Sequence, residues 1–210
     1  WPIGWSVLIA GWLYRISVRA GNFDIVRSSV SAISTDQRIQ MLLSAFCFGG
    51  FLEGAAGFGI PIAIAAALLV NLGFNPLKAS MFALIANAAS GAYGAIGIPV
   101  TTAANYGNID LAGLSIDIVP VLQIFSMLIP VLMVAIQDGV RGVREVGPVA
   151  LLIGAVFSGG QSAILFFLGS PELVDIIPPL LALVALALIM RVWQPKNIYC
   201  EPTAPTLEEV

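Results

Sequence analysis

The chain has no histidine at all among its 210 residues. Ser-His and Cys-His catalysis and most metal sites go with it. Its two cysteines stand in unlike settings, Cys47 inside an apolar run and Cys200 in a polar tail. They suggest no disulfide, have no metal-ligand spacing, and leave no cofactor to expect. Charge is scarce as well: 10% of residues are charged against 59% hydrophobic, with a mean hydropathy of +0.97. A soluble domain of this length cannot hide that much apolar surface, so the class is a multi-span membrane protein. The net charge of −3 says little, because its distribution matters more than its sum.

The few charges punctuate the apolar runs. The first run, 1–14, falls short of the ~20 residues a span needs. It also lacks a basic region and a small-residue cleavage site, so it is not read as a signal peptide. The expectation is a fragment opening inside a transmembrane helix. Arg15, Arg19, Arg27 and Arg38 follow it, which makes 15–38 a cytoplasmic loop or interfacial helix. Phe23, Val26, Val30 and Ile33 recur there at roughly helical spacing, as an interfacial helix requires, although a plain loop is equally compatible. Asp110 and Asp117 without a basic neighbour place 104–117 outside, Arg141 and Arg144 place 138–145 inside, Glu172 and Asp175 lie outside, and Arg191 and Lys196 inside. The runs 118–137, 147–169 and 176–191 then each cross once, and 192–210 begins a cytoplasmic linker.

Parity makes this informative. Passing from inside at Arg38 to outside at Asp110 takes an odd number of crossings, yet two long apolar runs intervene. One is therefore re-entrant. Lys78, the basic residue between them, puts the NLGFNPLK turn inside. The re-entrant hairpin is then 39–72, two half-helices of about 13 to 15 residues and roughly 20 Å each, and 79–103 is a broken transmembrane helix. Swapping these roles also satisfies parity, and Lys78 alone decides between them.

Both segments break in the same way. The hairpin reads Gly54-Ala-Ala-Gly57-Phe58-Gly59-Ile-Pro61, and the crossing helix Gly91-Ala-Tyr-Gly94-Ala-Ile-Gly97-Ile-Pro99. Proline suits the first turn of a helix, where its missing N–H costs nothing, so Pro61 and Pro99 are expected to open second half-helices. Each such N-terminus offers free N–H groups and a positive dipole end to an anion. Glycines that merely allow close helix packing are the bland reading, but two matching breaks in successive segments favour the functional one. In lipid, the freed backbone must be satisfied by protein or a water-filled cavity.

Glu53 is the single charge in 39–72 and adjoins the first break. An ionisable residue at membrane depth is a functional-site hypothesis by default. A helix C-terminus and an apolar setting both work against a charge there, so Glu53 is expected to carry a coupling proton. A structural glutamate, or sodium coordination with exposed carbonyls, are the other readings. Asn87, Ser90, Tyr93, Thr101, Thr102 and Asn105 are the polar residues of the uncharged crossing segment. They can hydrogen-bond a small substrate or simply join helices. The candidate substrate-binding set is Gly54, Gly57, Phe58, Gly59, Asn87, Ser90, Gly94, Gly97, Thr101 and Thr102. Arg38 reads as a cytoplasmic anchor at the hairpin entrance, and Ser158 and Gln161 as packing polars.

At DQRIQ (36–40), FCFGGFLEGAAGFGIPIAIAAALL (46–69), LGFNPLKA (72–79), LIANAASGAYGAIGIPV (84–100) and VWQPK (192–196), the chain resembles the L-lactate permease family of bacterial secondary transporters. The family pattern often has threonine before the proline, where this chain has Ile60. The resemblance implies proton symport of L-lactate, with glycolate and related 2-hydroxy monocarboxylates, across a bacterial inner membrane. It further implies a protein more than twice this length with inverted repeats, of which this is most of the first, and broken segments that belong to a moving transport domain. The fold expected is an all-α polytopic membrane protein: transmembrane helices, a re-entrant helical hairpin and a broken helix, one repeat of an inverted-repeat transporter. Its partners would be a small organic anion with a proton, the bilayer and the missing second repeat. Nucleic acid is not among them, and a homo-oligomer is compatible.

Three other readings compete. An intramembrane enzyme needs a nucleophile with a base, paired aspartates or a metal, and one intramembrane carboxylate without histidine offers none. A passive anion channel also uses non-helical backbone. A sodium-coupled carrier of another small organic anion is the third. The lack of intramembrane Arg or Lys favours one substrate carboxylate over two.

Overall fold

The computed structural model describes residues 19–201 continuously and, ahead of them, Trp5, Leu8, Trp12, Arg15 and Ile16. The truncated span expected over 1–14 lies mostly outside the described residues, as do the side chain of Phe23 and the linker beyond 201. The described residues form helices α1 (Asn22–Ile33), α2 (Gln37–Met41), α3 (Gly49–Ala55), α4 (Ile60–Asn71), α5 (Pro76–Asn87), α6 (Gly94–Gly107), α7 (Leu111–Asp117), α8 (Val119–Glu145), α9 (Gly147–Leu168) and α10 (Ile177–Val192). A π-helical stretch, Leu42–Phe48, joins α2 to α3, and a 3₁₀ turn, Pro171–Leu173, precedes α10. No strand occurs among the described residues. The chain is an all-α polytopic membrane protein.

Three stretches are long and apolar enough to cross a bilayer: Val119–Glu145, Gly147–Leu168 and Pro171–Val192. The charge between the first two falls at a real break. Gly139 adopts φ 64° and ψ −152°, so α8 is interrupted there before its last six residues. α8 and α9 approach closely because position 154 is glycine; a Cβ there would lie 2.2 Å from the carbonyl oxygen of Met127. α8 also turns Val121, Ile124, Phe125, Leu128 and Leu132 outward at helical spacing, the face a lipid-contacting helix needs.

The π-helical stretch is the centre of the core. Leu42, Leu43, Phe46 and Cys47 are fully buried, and the Phe46 ring lies 4.9 Å from that of Phe157 on α9. α2, the π stretch and α3 make one helical arm of the expected hairpin, longer than the 13 to 15 residues foreseen. α4 is the other arm and packs back on it: a Cβ at Gly49 would be 3.7 Å from that of Ala65. The two ends of this segment meet, since Gln37 Nε2 donates to the Gly73 carbonyl at 3.4 Å. α1 is a helix rather than a loop, with Val30 buried and Val26 and Ile33 against the core.

One buried cation gathers three segments at that end. Arg38, 1% exposed, pairs with Asp36 at 2.7 Å, Asp138 at 2.7 Å and Glu145 at 3.3 Å. Its Nη2 also donates to the Asn197 carbonyl at 2.7 Å. Asp36 caps α2 by accepting from the Arg38 N–H. The exit segment is clasped here too: Gln37 N–H donates to Tyr199 O, Tyr199 N–H to Asp36 Oδ2 and Glu201 N–H to Gln37 Oε1. Lys78 pairs with Glu201. Burial works against the charge of Arg38, but its bond to Asp36 and the charges of Asp36, Asp138 and Glu145 outweigh burial and hold its pKa up. Glu145 is held below its usual range, first by the Asn197 N–H and also by Arg38.

Arg38→Met strands three carboxylates and is expected to cost about 3–5 kcal/mol, read as a fall in the unfolding temperature of the detergent-purified parent protein. The Glu145 shift has a definite sign. A carboxyl lowered in the folded state adds stability above its unfolded value, near 4.5, and loses it as pH falls through the folded value. Glu145→Gln is therefore expected to lower stability at pH 7 and to narrow its gap to the wild type as pH falls below about 4.5, measured by thermal unfolding across that range.

Candidate functional site

The two glycine breaks fold alike. After α3, Gly57, Phe58 and Gly59 take φ of 61°, 55° and 78°, and α4 follows with Pro61 in its first turn. In α6, Ala95, Ile96 and Gly97 take φ of 50°, 59° and 75°, and regular helix resumes with Ile98 and Pro99. Each break is thus three successive left-handed residues ahead of Ile-Pro. Glycine takes such angles freely. Phe58, Ala95 and Ile96 do not, and their strain persists only where the surroundings dictate it.

The turns also touch. A Cβ on Gly57 would lie 2.4 Å from the Ala95 Cβ and 2.8 Å from its nitrogen. Polar groups near the breaks find partners within the protein. Ser126 of α8 donates to the Ala89 carbonyl at 2.9 Å, the Tyr93 hydroxyl donates to the Ser115 carbonyl at 2.8 Å, and the Gly97 N–H donates to the Tyr93 carbonyl at 3.0 Å.

Glu53 sits in the last turn of α3, 5% exposed, and its Oε2 has no hydrogen-bond partner. It rests on the second break: a Cβ at Gly94 would come within 2.7 Å of Glu53 Oε1. The next residue, Gly54, packs directly on Asp175, whose carbonyl oxygen would be 1.9 Å from a Cβ there. Asp175 is wholly buried, and Gln161 Nε2 of α9 donates to its Oδ1 at 2.6 Å. Asp175 Oδ2 and Gln161 Oε1 are left without partners. Gly97 in turn lies against Pro171: a Cβ there would be 3.2 Å from the Pro171 carbonyl carbon and oxygen.

The fold therefore brings Glu53, Gly54, Gly57, Gly94 and Gly97 into one cluster. Phe58 and Gly59 are at its exposed side. Asn87 lines a narrow pocket with Gly49, Pro61 and Ala65, beside the start of α4. Ser90 is buried with an unpartnered hydroxyl. Thr101 donates to the Gly97 carbonyl at 2.9 Å, whereas Thr102 and Asn105 are exposed. Asp175 and Gln161 were missed. Charge patterning assigned Asp175 to an external loop with Glu172; Glu172 is exposed, but Asp175 turns inward. The signal was a pairing: an aspartate just ahead of an apolar span, and an amide within an otherwise apolar helix. No group of three or more His, Cys, Asp or Glu that could hold a metal occurs among the described residues.

Membrane-length helices beside two helices broken at glycine turns define a multi-pass membrane protein. The chain belongs to the L-lactate permease family, which it matches over residues 1–209. It is 47% identical to an L-lactate permease of Halalkalibacterium halodurans over its whole length, covering 42% of that protein. It is 47% identical to a glycolate permease of Escherichia coli over 94% of its length, and 46% identical to an L-lactate permease of Bacillus subtilis over 94%, covering 35% of each. The chain thus spans well under half the length of these relatives. No solved structure matches it. The relatives are bacterial, and with its membrane-length helices the chain is a multi-pass protein of the bacterial inner (plasma) membrane.

The glycine contacts make a sharp test. In Gly54→Ala the methyl meets backbone, so α3 and Asp175 must separate, at an expected cost of about 1–3 kcal/mol. Gly159 of α9 has nothing within 4 Å of its Cβ position. Gly159→Ala is expected to be neutral or to gain up to about 1 kcal/mol. Unfolding temperatures of the two variants of the parent protein decide it, and equal values would refute the contact.

Proposed function

We propose that the parent protein is a secondary active transporter that imports L-lactate, with glycolate and related 2-hydroxy monocarboxylates, by proton symport. The observation that carries this reading is the pair of facing left-handed turns with Glu53 between them. The first-turn N–H groups of α4 and of the helix resuming at Ile98 have no intrahelical acceptors. They lie at positive dipole ends, and a single substrate carboxylate fits that chemistry without a lysine or arginine. Gly54, Gly57, Gly59, Gly94 and Gly97 let substrate approach the backbone; Phe58 would close one side, and Asn87, Ser90, Thr101 and Thr102 would offer bonds to the carboxylate or 2-hydroxyl.

Glu53 is the coupling residue in this reading. An ionised Glu53 repels an incoming carboxylate; protonation removes that repulsion and ties anion entry to proton entry. The segment 39–72 acts as a re-entrant hairpin, a reading supported by the meeting of its ends at Gln37 and Gly73. The helix 79–103 makes the single broken crossing. The rest of the parent protein, as a second repeat, would complete the site, and the names of the relatives, L-lactate permease and glycolate permease, support the substrate class.

Labelled L-lactate uptake by the parent protein in vesicles, under imposed proton or sodium gradients, tests this. Proton-driven accumulation is expected, falling at least tenfold in Glu53→Gln. Sodium-driven accumulation would move the site to cation coordination. Equilibration without accumulation would mean a channel, and no uptake under either gradient would remove lactate as substrate.

A further inference from the structure

Glu53 does not stand alone, and its neighbour has no role in the reading above. Asp175 is fully buried against Gly54, the residue after Glu53. Each carboxyl has one oxygen without a partner, Glu53 Oε2 and Asp175 Oδ2. The elements around Asp175 contribute Glu53 from α3, Gln161 from α9 and Tyr93 beside the second break, with Glu172 exposed on its own turn. No cation among them offsets two negative charges. The Tyr93 hydroxyl is already given to Ser115, and the paired cations Arg38 and Lys78 are bound at the other end of α10, a helix of about 24 Å.

Two uncompensated carboxylates in such a place are strongly disfavoured. With Asp175 packed on Gly54, the residue next to Glu53, the two do not both ionise readily. One proton on the pair removes one charge and supplies an O–H donor that the buried oxygens lack. Gln161 gives the pair an internal asymmetry. Its N–H holds Asp175 Oδ1, which favours the ionised form at Asp175, and its free Oε1 remains an acceptor nearby.

We infer that Asp175 is the second member of the coupling site: Glu53 and Asp175 hold one proton as a unit, with Gln161 as the positioning residue. This rests on the transport reading above. The step is a plain proton transfer: a carboxyl O–H forms with a proton drawn from water on one side, and it breaks by releasing that proton to water on the other. The occupied pair carries one negative charge less when the substrate anion arrives.

The experiment uses the complete parent protein in liposomes and two readouts. The first, independent of substrate, is covalent labelling of protonated carboxyls by a hydrophobic carbodiimide, mapped by mass spectrometry. The second compares lactate–lactate exchange with accumulation driven by a proton gradient. In Asp175→Asn the like charge is gone, so labelling of Glu53 at neutral pH is expected to fall about tenfold, the effect of one unit of coupling. Driven accumulation should collapse towards the equilibrium level while exchange continues. Unchanged Glu53 labelling, or unchanged driven accumulation, overturns the proposal. If Asp175→Asn does not reach the membrane folded, Gln161→Leu decides: losing the N–H donor should raise labelling of Asp175, and an unaltered level overturns the pair. Should the wild type move no lactate under any gradient, the transport reading falls, and labelling alone judges whether the two carboxyls share a proton.

Discussion

Gly57 against Ala95 is the contact on which the rest of the site depends. Two helices interrupted inside an apolar bundle must each hide a stretch of unpaired backbone. This chain does it by laying one break on the other, so closely that a single methyl on Gly57 would sit 2.4 Å from the Ala95 Cβ. Once those turns touch, Gly94 is brought under Glu53 and Gly97 against the Pro171 turn. The carboxyl environment is therefore a consequence of backbone geometry, fixed by where side chains are missing.

The two ends of the bundle treat charge in opposite ways. At one end Arg38 is buried but saturated, with three acidic partners, a carbonyl and the clasped 197–201 segment around it. Such a network is strongly held together because removing any partner strands the others. At the other end Glu53 and Asp175 are buried and under-satisfied. A saturated network resists change of state; an unsatisfied one responds to the gain or loss of one proton or ligand. The transport reading proposed above would use both, a fixed anchor and a site whose energy changes with occupancy.

The sequence was legible where a physical rule has one solution. Long uncharged runs between basic and acidic loops read as membrane-length helices, and the structure has three of them. The repeated Gly-Ile-Pro showed where helices break, because glycine and proline act through their own backbone and need no distant partner. Glu53 stood out as a lone charge. Asp175 did not, because a carboxyl at a loop edge faces water or core depending on what packs there, and here that is Gly54, 121 residues earlier in the chain. Gln161 stands out as an amide in an apolar helix, but its partner depends on the inward turn of Asp175. The π-helical stretch, with no local mark in LLSAFCF, is imposed by tertiary packing.

The left-handed residues without glycine's freedom carry the remaining argument. Phe58, Ala95 and Ile96 each hold φ between 50° and 59°, at roughly 1–2 kcal/mol apiece. Three glycines share those turns, so the fold pays only where a side chain is kept. Ala95 is kept at the contact itself, small enough for Gly57 to reach it. Phe58 and Ile96 are kept on the exposed side, with 36% and 51% of their surface open. Strain retained at residues that add little to packing is better explained by what they will meet there. In the transport reading proposed above, that side of the two turns is where the substrate would lie.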